Sequence, residues 1–315
     1  MNCRFAFRCY QRPFQQPLRT RYGDWKVREG IIVQLNSGAE QIGLGEIAPV
    51  PWFGSETLEQ ALDFCQQLPT EIDSETIFSI PTELPACQFG FESAWEVLNN
   101  PLTDSESLQQ ISYSALLPAG TAALMQWRSL WDRGYRTFKW KIGVASFLDE
   151  LQIFNNLLKD LPPEAKLRLD ANGGLSWTVA NQWLEHCDKV AAPQIEFLEQ
   201  PLPVEQFEGM RQLNQDYETS LALDESVATL AQLQACYQQA WQGIFVVKPA
   251  IAGSPKQLRQ FCQQHPLDLV MSSVFETSVG KQAGLKLAVE LSSRDRAVGY
   301  GVDHWIVEDL RRMAQ

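Results

Sequence analysis

Ionisable or polar side chains recur through the second two thirds of this chain at a regular interval. Lys139-Trp140-Lys141 is followed by Asp170, Glu199, Asp224, Lys248 and Ser272-Ser273. From Lys141 to positions 170, 199, 224, 248 and 272 the steps are 29, 29, 25, 24 and 24 residues. Each position closes a short apolar run, and each step is the length of one strand–helix unit. If Asp170, Glu199 and Asp224 face a common point, three anions crowd together, which is unfavourable unless a cation joins them. Oxygen-only ligation suits a hard divalent ion, Mg²⁺ or Mn²⁺. Zinc would call for His or Cys, and neither stands at these positions.

The lysines supply the complementary half. Lys139 and Lys141 are two apart on one strand and share a face, and Lys248 approaches from across the site. An ordinary lysine, with a pKa of about 10.4, is no base at neutral pH. A second ammonium and a divalent cation nearby both penalise its charged form, and a drop of ~2–3 units brings it into the working range. The assembly is suited to removing a proton next to a carboxylate, the metal holding the resulting enediolate. Asn172, Glu225, Ser272 and Ser273 are further candidates beside metal or substrate. Taken singly, Asp170 before Asn172-Gly173-Gly174 reads as a turn former and Glu225 as a helix-start charge. The ordered set resists that reading, since crowding acids and lysines without purpose costs stability.

The elements that must position these residues are legible as a rhythm. Eight strands are expected at Ile111–Leu116, Thr137–Ile142, Leu167–Asp170, Ile195–Glu199, Leu221–Asp224, Ile244–Lys248, Leu269–Ser273 and Ala297–Tyr300. Amphipathic stretches lie between them, such as Phe147 to Leu158, and Ser176 is the expected N-cap of Trp177–His186. Strand–helix alternation of this length points to an α/β barrel whose C-terminal strand ends form the active mouth. A doubly wound open sheet is the runner-up, although no Gly-rich phosphate loop follows the first strand. Trp140, between the two lysines, is expected to face the outer helices. The first hundred residues have another texture: strands at 3–10, 31–35 and 41–47, a turn-rich stretch from Gln11 to Asp24, then helices near Leu58–Cys65 and 86–98. They read as a small α+β domain.

Composition removes several function classes. With 26 Lys+Arg against 38 Asp+Glu, a net charge of -12 opposes binding to nucleic acid or anionic membranes. No stretch reaches the ~18 uncharged apolar residues of a membrane span, and the N-terminus does not read as a secretory signal. The seven cysteines are scattered without a C-x-x-C pair, so neither disulfides nor zinc are expected, and the chain reads as cytoplasmic. The three histidines are far apart, with only His304 expected near the mouth.

The segments Phe138-Lys139-Trp140-Lys141-Ile142-Gly143, Leu169-Asp170-Ala171-Asn172-Gly173, Phe197-Leu198-Glu199-Gln200-Pro201-Leu202 and Ala222-Leu223-Asp224-Glu225-Ser226 together resemble the enolase superfamily, in its muconate-lactonising-enzyme subgroup. That superfamily is itself a known example of lysine-and-Mg²⁺ enediolate chemistry, so this part of the mechanism comes with the resemblance. Within the subgroup the chain is similar to the o-succinylbenzoate synthase family. The carriers are Arg28-Glu29-Gly30, the run Ser272-Ser273-Val274-Phe275-Glu276-Thr277-Ser278-Val279-Gly280, and a short overall length. Gly299 to His304 lacks the Asp-x-Asp that dipeptide epimerases use.

The resemblance implies a modified (β/α)7β TIM-like barrel over 101–301, an N-terminal α+β capping domain over 1–100, and a tail over 302–315 returning to the cap. It implies a Mg²⁺-dependent syn dehydration of 2-succinyl-6-hydroxy-2,4-cyclohexadiene-1-carboxylate to o-succinylbenzoate, on the way to menaquinone or phylloquinone. Asp170, Glu199 and Asp224 would bind the metal. Lys141 would remove the proton and help the hydroxyl leave, Lys248 would lie against the opposite face of the planar anion, and Lys139 would tune its neighbour. The succinyl tail would meet Pro49–Ser55 and Gln11–Tyr22. An N-acylamino acid racemase, an epimerase or a cycloisomerase shares this machinery and stays open, as does a barrel that only binds a metal or partner. Oligomeric state is not legible in the sequence.

Overall fold

The computed structural model describes residues 2–20, 23–38, 41–100, 110–190, 194–293 and 296–306. The expected domain boundary after residue 100 meets a stretch outside the described residues, as does the expected tail beyond 306.

Four antiparallel strands, β1 (Asn2–Thr20), β2 (Gly23–Asn36), β3 (Ile42–Ile47) and β4 (Glu71–Asp73), form a sheet in the order β3-β2-β1-β4. The stretch from Gln11 to Asp24 is not the expected turn region. It extends the β1–β2 ladder through Gln11–Glu29, Arg12–Arg28 and Pro13–Val27, then resumes at Leu18–Trp25 after a bulge. The bulge takes in Pro17, and β1 pairs with β4 only at Asn2, Cys3 and Arg4. This end of β1 is therefore an edge, where a proline's missing N–H breaks no ladder. Strand β4 and the short helix α2 (Ser74–Phe78) were not expected either; α1 (Leu58–Gln67) and α3 (Pro85–Asn99) were.

Helix α3 is buried nearly all round because it lies between the sheet and the barrel. A Cβ added at Gly45 would sit 1.9 Å from the Gly90 carbonyl oxygen, so β3 and α3 meet backbone to backbone. Ile31, Val33 and Leu35 of β2 and Phe89 and Phe91 of α3 are sealed in one core, each burial contributing ~1.5–3 kcal/mol. Ala250, Ile251, Val274 and Leu287 from the barrel join the same core.

The second sheet has eight parallel strands in the order β11-β10-β9-β8-β7-β6-β5-β12. They are β5 (Tyr113–Leu116), β6 (Thr137–Lys141), β7 (Lys166–Asp170), β8 (Ile195–Glu199), β9 (Leu221–Leu223), β10 (Ile244–Val247), β11 (Leu269–Met271) and β12 (Val298–Gly301). Helices α4 (Ala123–Asp132), α5 (Phe147–Asp160), α6 (Trp177–Cys187), α7 (Phe207–Asp216), α8 (Leu230–Gln238), α9 (Pro249–Ala252), α10 (Pro255–Gln264) and α11 (Ser278–Leu291) intervene. Every expected barrel strand is present. A parallel bridge between Ser272 and Gly299 joins β11 to β12, which closes the ring and excludes the open sheet. A Cβ at Gly299 would lie 2.5 Å from Ser272 Oγ, so the closure needs glycine there.

Trp140 faces outward as expected, meeting Trp183 of α6 edge-on at 6.4 Å between ring centroids. Ser176 caps α6, its hydroxyl accepting from the Val179 amide. Beyond β12, Ile306 bridges back to Phe14 of β1. No helix among the described residues is long and apolar enough to cross a membrane, and all seven cysteines are free.

Candidate active site

Strand register builds the site. Lys141 pairs with Asp170, and Asp170 with Glu199, so three successive strands carry these side chains abreast. Asp224 and Lys248 fall just past the last residues of β9 and β10, not within them as the sequence reading had it. All of them line one cavity of about 200 Å³ at the C-terminal mouth, together with Lys139, Asn172, Glu225, Ser272 and Ser273. The expected set is thus brought together without exception. The cap closes the opposite side with Leu18, Trp25, Trp52 and Phe53.

Two backbone strains shape the rim. Asn172 has φ 44° and Gln200 φ 38°, the left-handed region that non-glycine residues seldom adopt. Buried Gln200 explains its own conformation. Its Oε1 accepts from the amides of Asp224 (3.1 Å) and Ser226 (3.2 Å), and its Nε2 donates to Ser226 Oγ (2.9 Å) and the Leu202 carbonyl (3.0 Å). Gln200 thereby ties the end of β8 to the end of β9 and fixes the backbone from which Asp224 projects. The Asn172 amide donates to Asp170 Oδ1 at 3.0 Å, while its side chain donates to Glu225 Oε1 at 3.2 Å.

Asp170, Glu199 and Asp224 are 5%, 1% and 2% exposed, so each carboxylate depends on a partner. Lys139 Nζ lies 2.8 Å from Asp170 Oδ2 and 2.6 Å from Glu199 Oε1. Lys248 pairs with Asp224 and lies over the Phe53 ring, 3.8 Å from its centroid. Burial opposes the charge on Lys139, but Asp170 and Glu199 outweigh it and hold the ammonium. The Lys139 nitrogen sits between two acids, which is what holds its charge. Burial, and then the neighbouring Asp170, push Glu199 up to about 8 against the pull of Lys139. Burial likewise raises Asp224 and Glu225. Asp170 goes the other way, since Lys139 overcomes its burial.

Four acids thus share the site with three lysines, and burial disfavours charge on three of the four. Among the described residues, no three acidic, His or Cys groups stand close enough together to hold an ion as they are. Each of the three expected ligands is instead matched with an ammonium, the kind of charge that a cation would supply. Buried carboxylates that need a positive partner, lining one cavity with no soft donor beside them, fit a hard divalent ion.

Family models match over the same two parts of the chain: MenC, N-terminal domain, over residues 4–98, and Enolase C-terminal domain-like over 122–311. The o-succinylbenzoate synthase of Thermosynechococcus vestitus is 42% identical over 304 residues, covering 96% of this chain and 93% of that protein. The chain belongs to the o-succinylbenzoate synthase family of the enolase superfamily. A crystal structure of the synthase from Thermosynechococcus elongatus BP-1, complexed with Mg in the active site, superposes with a TM-score of 0.88 at 42% identity, covering 96% of this chain and 94% of that one. The Yersinia pseudotuberculosis synthase (strain IP 31758) is 31% identical, covering 90% of this chain and 85% of its own length.

Within this family site, sequence reasoning overlooked three contributors. Arg168 lines the cavity floor, its Nε 2.7 Å from Glu196 Oε2 and its Nη2 2.7 Å from the Ala297 carbonyl. Its signal was present, because Arg168 is two residues before Asp170 and shares its face. Gln200 had no signal beyond its place in a motif. Phe53 lay inside the loop expected to meet the substrate tail, but its contact with Lys248 depends on how the cap docks. Of the histidines, His186 bonds the Gln182 carbonyl and His265 packs at a tilt against Tyr237 and Phe261. His304 bonds the Leu116 carbonyl beside the mouth without lining the cavity.

Proposed function

We propose that this chain catalyses the syn dehydration of 2-succinyl-6-hydroxy-2,4-cyclohexadiene-1-carboxylate to o-succinylbenzoate. The observation that carries this reading is Lys141 abreast of Asp170 and Glu199, with Lys248 across the same cavity. Lys141 Nζ, as the free amine, takes the proton from the ring carbon bearing the carboxylate. The electron pair becomes the new ring double bond, and the neighbouring hydroxyl leaves as water with the proton that Lys141 now carries. One nitrogen serving both steps requires both groups on one face. Lys248, as an ammonium on the other face, stabilises the planar anion, a role its position over the Phe53 ring already mimics.

Asp170, Glu199 and Asp224 are the residues that would hold Mg²⁺ or Mn²⁺. The ion would supply positive charge beside the substrate carboxylate, where negative charge grows. Lys139, gripping two of those acids, orients them. Asn172, Glu225, Ser272 and Ser273 complete the wall against the substrate, and Trp25 and Trp52 exclude water above it. Residues 1–100 act as the cap and 101–301 as the catalytic barrel. The partner is a small carboxylate and the compartment the cytoplasm; a net charge of -12 weighs against nucleic acid.

The test is an ultraviolet assay for aromatic product with and without divalent metal. Lys141→Ala should abolish turnover while leaving metal affinity nearly intact, and full activity in that variant ends the proposal. Deuterium wash-in at the alpha carbon of an N-acylamino acid, without turnover of the cyclohexadiene acid, would assign the machinery to racemisation instead.

A further inference from the structure

The segment from Ser272 to Thr277 does two things at once. Ser272, Ser273, Val274 and Phe275 form part of the cavity wall. The cap grips the far end of the same segment and the start of the helix that follows it. Glu46 of β3, fully buried, accepts from the Thr277 amide (2.8 Å), the Thr277 hydroxyl and the Gly280 amide (2.8 Å), at the N-terminus of α11. Tyr10 of β1 donates to the same carboxylate at 2.5 Å. Arg12 Nη1 reaches the Glu276 carbonyl at 3.2 Å, and Phe14 meets Phe275 edge-on at 5.1 Å.

The segment is also braced internally. Glu276 Oε2 accepts from Ser273 Oγ and from the Val274 amide, both at 2.7 Å, and the Phe275 amide donates to Ser273 Oγ at 2.9 Å. Phe275 has φ 63°, a strained value that persists only where its surroundings impose it. Gly280 completes the joint, since a Cβ there would lie 2.9 Å from Glu46 Oε2.

We propose that Glu46 is a positioning residue: through Thr277 and Gly280 it makes cap docking set the placement of Ser273 and Phe275 in the substrate-facing wall. Glu46 does not line the cavity and acts only through the segment. Its loss should loosen substrate binding and leave the charged catalytic groups in place. The kinetic part of this inference rests on the proposed reaction.

The experiment compares wild type, Glu46→Ala and Glu46→Gln. With its oxygen at the Oε2 position the glutamine can still accept from both amides and the Thr277 hydroxyl, but its NH2 then stands beside the Thr277 amide, so it should rescue in part. Glu46→Ala should raise KM for the cyclohexadiene acid about tenfold with kcat within about threefold, the pattern of lost binding without lost chemistry. Hydrogen exchange, which needs no substrate, should show loss of protection confined to the amides of Val274, Phe275, Thr277 and Gly280. A wild type that does not turn over the acid sinks the functional reading, while exchange still judges the joint. KM within twofold of wild type in a folded Glu46→Ala, or protection lost across the whole chain, overturns the inference. If Glu46→Ala does not fold, Gly280→Ala is judged by the same readouts; failure of both to fold also overturns it, leaving a purely structural role.

Discussion

Gln200→Ala tests whether the Gln200 side chain holds the rim of the barrel together. Gln200 is 0% exposed and makes four hydrogen bonds at its left-handed turn. Alanine keeps the backbone conformation no easier and no harder, so the change isolates the side chain. The amides of Asp224 and Ser226 lose their acceptor, and a buried N–H without a partner costs ~1–3 kcal/mol. Two such groups give about 2–6 kcal/mol, and water entering the space left behind brings the expectation to the lower half, ~3 kcal/mol. The functional effect follows from the same two amides, because Asp224 projects from that backbone. Groups that orient a metal ligand typically change affinity by ~10–100-fold. Urea unfolding should therefore show a midpoint lowered by an amount equivalent to ~3 kcal/mol, and calorimetric titration should show Mg²⁺ binding weakened about tenfold or more. A variant within about 1 kcal/mol and twofold of wild type would refute the view that this glutamine organises the site.

Three further perturbations follow from particular contacts. Glu199→Gln removes one of the three crowded acids and should weaken Mg²⁺ affinity and turnover together, each by at least about tenfold; turnover that persists in excess chelator contradicts the metal assignment. Gly45→Ala drives a methyl to 1.9 Å from the Gly90 carbonyl and should cost ~3 kcal/mol or more in denaturant unfolding, since backbone cannot step aside as a side chain does. His304 titrates below the ordinary imidazole value of 6.5, chiefly because of burial, so the folded chain favours its neutral form. Its contribution to stability is present above pH 6.5 and lost as pH falls through the depressed value. The stability difference between wild type and His304→Gln should therefore shrink between pH 8 and pH 5, as read by urea midpoints; a constant difference contradicts the assignment.

The barrel strands and the charged residues at their ends were legible in the sequence because both are local facts. An apolar run such as Phe197-Leu198 needs no distant partner to read as a buried strand, and a Glu at its end stands out against it. The period of about one strand–helix unit then implies convergence, since a closed barrel brings all C-terminal strand ends to one mouth. What tertiary structure alone decided depends on pairings between distant segments. The stretch from Gln11 to Asp24 carries turn residues, yet β2 supplies a partner and β4 stops short of it and leaves an edge, so the prolines are absorbed into a strand. Lys139 is placed on the Lys141 face by its spacing, but that its nitrogen falls between Asp170 and Glu199 is decided by the register of three strands. Phe53 against Lys248 and Glu46 beneath Thr277 join cap residues to barrel residues roughly 200 positions away. Periodicity cannot encode such contacts, because they arise only when two independently patterned surfaces are pressed together and the buried polar groups between them must be matched.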